Sequence, residues 1–331
     1  VAPMWILLQT RGHLGGYFLF ASLAAALLGI VFGGNVAEYP AFLGWTASGG
    51  EFLFPILFIT IACGACSGFH AIVASGTTSK QLQFETDAKP IGYGAMLLEG
   101  MVAVVSLLCL MMLAPTDPAL ESPKPNFIYA LGIGKFLSVV GIDPVLGISF
   151  GLMAFTTFVY DTLDVCTRLG RYIMQELFGW HSKGGRWFAT ALTAAVPLVF
   201  VMRTTLDAKG NIIPAWKVFW ALFGASNQLL AALALIGVLV WQHRTHPARW
   251  IWPVIGLPAA WMYAMSVWGL LRFVKAGFFG PTGGFKGLPT DPVPWVAILL
   301  VTLAAMLLVE AAVVLLGNRP PKQPEGAPAA A

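Results

Sequence analysis

The stretch Thr60–Gln81, TIACGACSGFHAIVASGTTSKQ, decides how this chain is read. Its first half is apolar with helical spacing. Thr60, Cys63, Ser67, His70 and Ala74 recur at three- and four-residue steps, which predicts a single face carrying all five. A face with a histidine in it is unsuited to lipid, because an ionisable group at membrane depth is costly unless it is used. Gly64, Gly68 and Gly76 let another backbone come close. Ser75, Thr77, Thr78 and Ser79 bring hydroxyls and free backbone N–H groups to the place where the helix is expected to end. A histidine and a hydroxyl-rich break beside a span point to a polar pathway. The plainer reading is a span packed through small residues, followed by a helix start with Thr78 and Gln81 as a capping box.

Composition settles the class. Of 331 residues, 58% are hydrophobic and 10% charged, against about a quarter charged in soluble domains. The chain reads as an all-α polytopic membrane protein embedded in a lipid bilayer. Its net charge of +4 is spread without a basic run, so no nucleic-acid partner is expected. Cys63, Cys66, Cys109 and Cys166 all fall in apolar segments, which argues against a disulfide framework. The single Cys63/Cys66 pair completes no zinc site, so both read as small packing residues and no metal or cofactor is expected.

At about 20 apolar residues per crossing, eight spans are expected near Tyr17–Phe32, Phe52–Ala74, Ile91–Leu113, Pro144–Thr167, Trp187–Met202, Trp216–Trp241, Trp250–Leu271 and Val296–Leu316. Phe127–Val140 is apolar but too short to cross and reads as a re-entrant or interfacial helix. The opening VAPMWILLQ reads like the tail of a span, as in a fragment of a longer protein. Residues 1–317 form the expected carrier domain, and the Pro- and Ala-rich 318–331 a disordered cytoplasmic tail. Eleven of the 19 lysines and arginines fall on the side that holds Arg11, Lys80, Arg168 and Arg186. That side is assigned to the cytoplasm, and the loop Pro115–Pro125 to the outside. Trp187, Trp216, Trp241, Trp250 and Trp295 sit at expected span ends, where amphipathic rings favour the interface.

Polar residues inside the spans form stripes. In the fourth span Thr157, Asp161, Asp164 and Arg168 lie on one side of the helix. Asp164 and Arg168 can pair along it. Asp161 is deeper and has no basic partner at helical spacing, and desolvation would favour its neutral form, so it is a candidate to take up and release a proton. In the third span Gly92, Glu99, Ala103 and Ser106 share a face, which makes Glu99 a second proton candidate. In the sixth, Asn227 and Gln228 line up with Gly224 and Ala231 and either bond across helices or line a site. With His70, and with Ser75, Thr77, Thr78 and Lys80 as a resting place for a substrate carboxylate, these are the candidate substrate and coupling-ion residues. No nucleotide fingerprint, phosphate loop, metalloprotease helix or nucleophile elbow is present, and no catalytic residue is assigned.

Three segments resemble the carbon starvation protein A (CstA) family of bacterial inner-membrane carriers: SGFHAIVASGTTSKQ (Ser67–Gln81), TTFVYDTLDVCTRLGRY (Thr156–Tyr172) and FGASNQLLAALAL (Phe223–Leu235). The opening WILLQTR, Trp5–Arg11, is similar too, though the family usually has proline where this chain has Thr10. The similarity extends to about Trp268. The resemblance implies a carrier induced when carbon is short, proposed to take up peptides, with relatives that move pyruvate and with a LeuT-like inverted repeat. It also implies a longer N-terminus, with spans that contribute an unwound helix to the substrate site. The Cys63/Cys66 pair is not a feature of the family. The leading expectation is a secondary transporter that imports pyruvate or short peptides with protons. A non-transporting partner or sensor subunit is the alternative, and a membrane enzyme is more remote.

Overall fold

A computed structural model describes residues 4–46, 52–61, 66–121, 124–206, 212–280, 283–289 and 291–317. The expected tail 318–331 therefore lies outside the described residues, as does Cys63. Among the described residues ten α-helices run in chain order: α1 Met4–Phe32, α2 Leu53–Ile61, α3 Gly68–Gly76, α4 Ala88–Met111, α5 Pro125–Ser138, α6 Pro144–Phe178, α7 Lys183–Met202, α8 Trp216–Thr245, α9 Leu257–Phe278 and α10 Pro292–Leu316. A small antiparallel ribbon, β1 Thr204–Leu206 and β2 Ile212–Pro214, joins α7 to α8. Among the described residues, seven helical segments are long and apolar enough to cross a membrane.

The helix starts follow from local chemistry. Asp143 precedes Pro144, and its carboxylate accepts from Val145 N and Leu146 N at 2.9 and 3.3 Å, capping α6. Asp291 before Pro292 caps α10 in the same way through Val293 N at 2.9 Å. In each case the carboxylate satisfies amides that a first helical turn leaves open, and the proline contributes a preset φ where no N–H is needed.

The second expected crossing, Phe52–Ala74, is not one helix. Cys66 and Ser67, just before α3, are not helical, and residues 62–65 lie outside the described residues. At 1.5 Å per residue the nine-residue α3 is about 14 Å long, roughly half of the hydrocarbon core. Thr60 and Ser67 therefore do not share an uninterrupted helical face with His70. The capping box expected at Thr78 and Gln81 is also not formed: Thr78–Lys80 is a single 3-10 turn without a side-chain cap. Gln81 Nε2 instead donates back to Thr77 O at 3.4 Å.

The chain divides into two compact units, Val1–Gly44 with Gly76–Leu198, and Trp45–Ser75 with Val199–Ala331. In the first, Leu23 and Ala26 of α1, Val105 and Cys109 of α4, and Tyr129, Ile133 and Phe136 of α5 form the core. The 14-residue α5 has Tyr129, Ala130, Ile133 and Phe136 buried, in keeping with its apolar sequence and its length too short to cross. In the second unit, Ile59 of α2 meets Leu222, Ala225 and Leu229 of α8, Leu270 of α9 and Val293, Ala297 and Ala304 of α10. Outside these contacts the helices carry exposed Leu, Val and Phe, among them Leu27, Val31, Leu107, Leu303 and Val309. Lipid is the solvent that such a surface needs.

The basic-residue bias gives a result that can be checked. In a cysteine-free background, a cysteine at Glu121 is expected to react with an impermeant reagent in intact cells. One at Ser182, on the far side of α6, should react only after permeabilisation. The reverse pattern would invert the orientation.

Candidate functional site

In the first unit the polar stripe of α6 meets a partner that its own spacing did not reveal. Arg11 of α1 reaches across, its Nε 3.1 Å from Asp161 Oδ1 and its Nη2 3.4 Å from Asp164 Oδ2. Arg168 Nη2 stands 3.8 Å from the same Asp164 oxygen, one helical turn along. Asp161, expected to be without a basic partner, is thus tied to another helix, and one guanidinium fork spans both carboxylates. Two carboxylates and two guanidiniums balance in charge. The side chains are only partly covered, Arg11 and Asp164 at 37% exposure and Asp161 at 33%, so the pairing serves position more than stability.

Gly15 explains how α1 comes so close. A Cβ there would fall 2.5 Å from Asp161 Oδ2 and 3.8 Å from Thr157 Cγ2. Thr157 turns its methyl toward α1 and spends its hydroxyl on Met153 O at 2.9 Å, so it does not extend the polar stripe as expected. Asp161 also lines a cavity of about 620 Å³ with Gly12, His13, Gly16 and Gln81. His13 and Arg11 were missed as site residues. The available signal was Arg11 and His13 interspersed with Gly12, Gly15 and Gly16, small residues that let a neighbouring helix approach.

Thr77, Thr78 and Lys80 belong to the same unit. Lys80 Nζ lies 5.9 Å from the centroid of the Tyr172 ring, within the range of a cation–π contact. The Thr77 hydroxyl is buried without a hydrogen-bond partner. Glu99 is not gathered into the stripe: it sits half-buried on α4, and Gly92, Ala103 and Ser106 on its expected face are exposed. The Ser106 hydroxyl is returned to Val102 O at 2.8 Å.

In the second unit the break between α2 and α3 is held from α8. Asn227 Oδ1 accepts from Phe69 N at 2.7 Å and from Ser67 Oγ at 3.3 Å, and Asn227 Nδ2 lies 3.1 Å from Ser67 Oγ. The amide caps the N-terminus of α3 from outside and so bonds across helices. Gly68 permits it, because a Cβ there would run into Asn227 O and Ala231 N of the α8 backbone. Gln228 differs from its neighbour. It is fully buried, and neither its Oε1 nor its Nε2 has a hydrogen-bond partner among the described residues. The Ser266 hydroxyl on α9 is likewise buried and unpartnered. Unsatisfied polar groups in an apolar interior are rare and costly. His70 is exposed on α3 with its ring 5.8 Å from that of Phe69, and Ser75 Oγ donates to Ile72 O at 3.2 Å. No group of three or more metal-ligating side chains occurs among the described residues.

A family model described as carbon starvation protein CstA matches residues 1–126 and 117–269. The pyruvate/proton symporter BtsT of Escherichia coli (strain K12) is 30% identical over 351 residues, covering 81% of this chain and 48% of the relative. The peptide transporter CstA of Helicobacter pylori (strain J99) is 31% identical over 299 residues, covering 72% and 43%. The peptide transporter CstA of Bacillus subtilis (strain 168) is 30% identical over 320 residues, covering 84% and 52%. The chain thus spans about half the length of the curated relatives it matches. No solved structure matches it.

Proposed function

This chain belongs to the carbon starvation CstA family, and from that premise we propose that it acts in a secondary transporter that imports pyruvate or short peptides, coupled to protons, across the bacterial inner membrane. The observation that carries the reading is the Arg11 fork between Asp161 and Asp164. Asp161 borders a cavity that can bring water and protons to it. When Asp161 takes up a proton, its charge-assisted bond to Arg11 Nε weakens and Arg11 is left to Asp164 alone. Proton occupancy then changes what ties α1 to α6, so a single binding event biases two arrangements of the helices.

The second unit supports the substrate half of the proposal. A broken helix at membrane depth is tolerated where it is buried in protein or lines a cavity, and in carriers with inverted repeats such breaks accompany the binding site. The α2–α3 break held by Asn227, with unpartnered Gln228 beside it in sequence, fits a place in a LeuT-like carrier. Within this unit the polar end of the substrate is assigned to Gln228, with Ser75 and His70 as further candidates; Thr78, Lys80 and Glu99 are separate candidates in the first unit. Thr77, in the first unit, joins Thr78 and Lys80 through its buried hydroxyl, which has no hydrogen-bond partner among the described residues.

Uptake of labelled pyruvate and of a labelled dipeptide into proteoliposomes tests this. One of the two is expected to accumulate above its outside concentration when the outside is acidic, and to equilibrate without accumulating when the gradient is collapsed. Uptake of neither under either condition would remove the transporter reading.

A further inference from the structure

α6 is longer than a crossing requires. Its 35 residues measure about 52 Å at 1.5 Å each, against a hydrocarbon core of about 30 Å. With Pro144 at one boundary, the stretch from Arg168 onward lies in the headgroup layer on the other side. There the chain turns back into α7, and between the two helices is a cavity of about 490 Å³ bordered by Arg168, Arg171, Lys183, Arg186 and Trp187, with Asp164 at one end. The residues repeat at helical spacing on both walls, 164, 168 and 171 on α6 and 183, 186 and 187 on α7, so each helix turns a basic stripe inward.

The charges in this cavity do not cancel. Asp164 is already shared by Arg11 and Arg168. Arg171, Lys183 and Arg186 make no ion pair among the described residues. The Nε atoms of Arg168 and Arg171 are buried without a hydrogen-bond partner, so two guanidinium donors are withdrawn from water and unused. Lys183 opens α7, where the helix end adds partial positive charge. Lys183 and Arg186 are exposed at the edge of the cavity while the two buried Nε–H groups point away from water, and a ligand that supplies several acceptor oxygens satisfies those donors and meets the unpaired cations. Trp187, 60% exposed beside the cavity, has the amphipathic ring of a residue at the membrane interface.

We infer that the α6–α7 cavity binds a phosphate group, supplied by the headgroup of an anionic phospholipid in the adjoining leaflet. Guanidinium forks suit phosphate oxygens, and a basic pocket between helices at headgroup depth is where such a lipid would settle. The occupant would fix α6 against α7 directly below the Arg11–Asp164 contact. This inference stands on the cavity and its charges and does not depend on the substrate.

Native mass spectrometry of the purified protein with phosphatidylglycerol, with phosphatidylcholine and with inorganic phosphate tests it. Phosphatidylglycerol is expected to be retained and phosphatidylcholine not. Neutralising three cations together (R171Q, K183Q and R186Q) should weaken retention by roughly hundredfold, at about fivefold per cation. Inorganic phosphate that binds as tightly as the lipid and displaces it would uphold the phosphate site but make its natural ligand soluble. Equal retention of both lipids with no phosphate bound, or a phosphatidylglycerol preference unchanged in the triple variant, would overturn the inference. The lipid comparison on the unaltered protein stands even if the triple variant folds poorly.

Discussion

Asp161→Asn is expected to abolish accumulation of substrate against its gradient while leaving downhill exchange in place. Asparagine keeps the shape and can still accept from Arg11 Nε, so α1 and α6 stay in register, but it cannot take up a proton and present a neutral acid. The variant is fixed in one of the two electrostatic arrangements. Asp164→Asn is the contrasting change. It removes the carboxylate shared by Arg11 and Arg168, and because that group is over a third exposed, the loss of stability should be about 1 kcal/mol or less. Uphill accumulation should survive it. Loss of accumulation in Asp164→Asn with retention in Asp161→Asn would exchange the roles of the two carboxylates.

The second large effect is on folding. Gly68→Ala places a methyl against Asn227 O and Ala231 N, both backbone atoms of α8 that cannot turn aside as a side chain would. α3 must lift from α8, and with it goes the Asn227 bond to Phe69 N. Overpacking of this kind costs about 1–3 kcal/mol, and the lost cap adds about 1 kcal/mol. The unfolding midpoint in detergent should fall by several degrees, and the folded yield with it. Gly92→Ala on α4, where nothing lies within 4 Å of the added carbon, is expected to leave the midpoint unchanged or raise it slightly. Equal behaviour of the two variants would mean that α3 does not depend on close seating against α8.

How much of this was legible in the sequence depends on the range of the interaction. The stripe of Asp161, Asp164 and Arg168 could be read because helical periodicity is local. The Arg168 contact at one turn followed from the same rule. Arg11 could not be assigned to Asp161, because a partner 150 residues away is set by how α1 and α6 meet. Thr157 was read by position alone. A threonine in a helix can return its hydroxyl to the carbonyl four residues back, and here it does.

The break in the second expected crossing shows the opposite limit. Hydropathy runs without interruption from Phe52 to Ala74, so counting apolar residues yields a continuous span. What interrupts the helix is competition from outside: the Asn227 side chain bonds to Ser67 and Phe69 and seats Gly68 on α8. Asn227 and Gln228 are adjacent and equally amide, yet one is satisfied and the other is buried with both polar atoms unpartnered. Composition could place both on α8. Only the arrangement of neighbouring helices separates a structural bond from a group open to a ligand.

We propose Asp161 as the group that takes up the coupled proton and in doing so releases Arg11. Infrared difference spectroscopy on the purified protein, stepped between neutral and acidic pH, reports it directly through the C=O band of a protonated carboxyl group. One component of that band, present in the unaltered protein, is expected to be missing in Asp161→Asn and to persist in Asp164→Asn. A band that is the same in all three proteins would contradict the proposal and place the proton on another group.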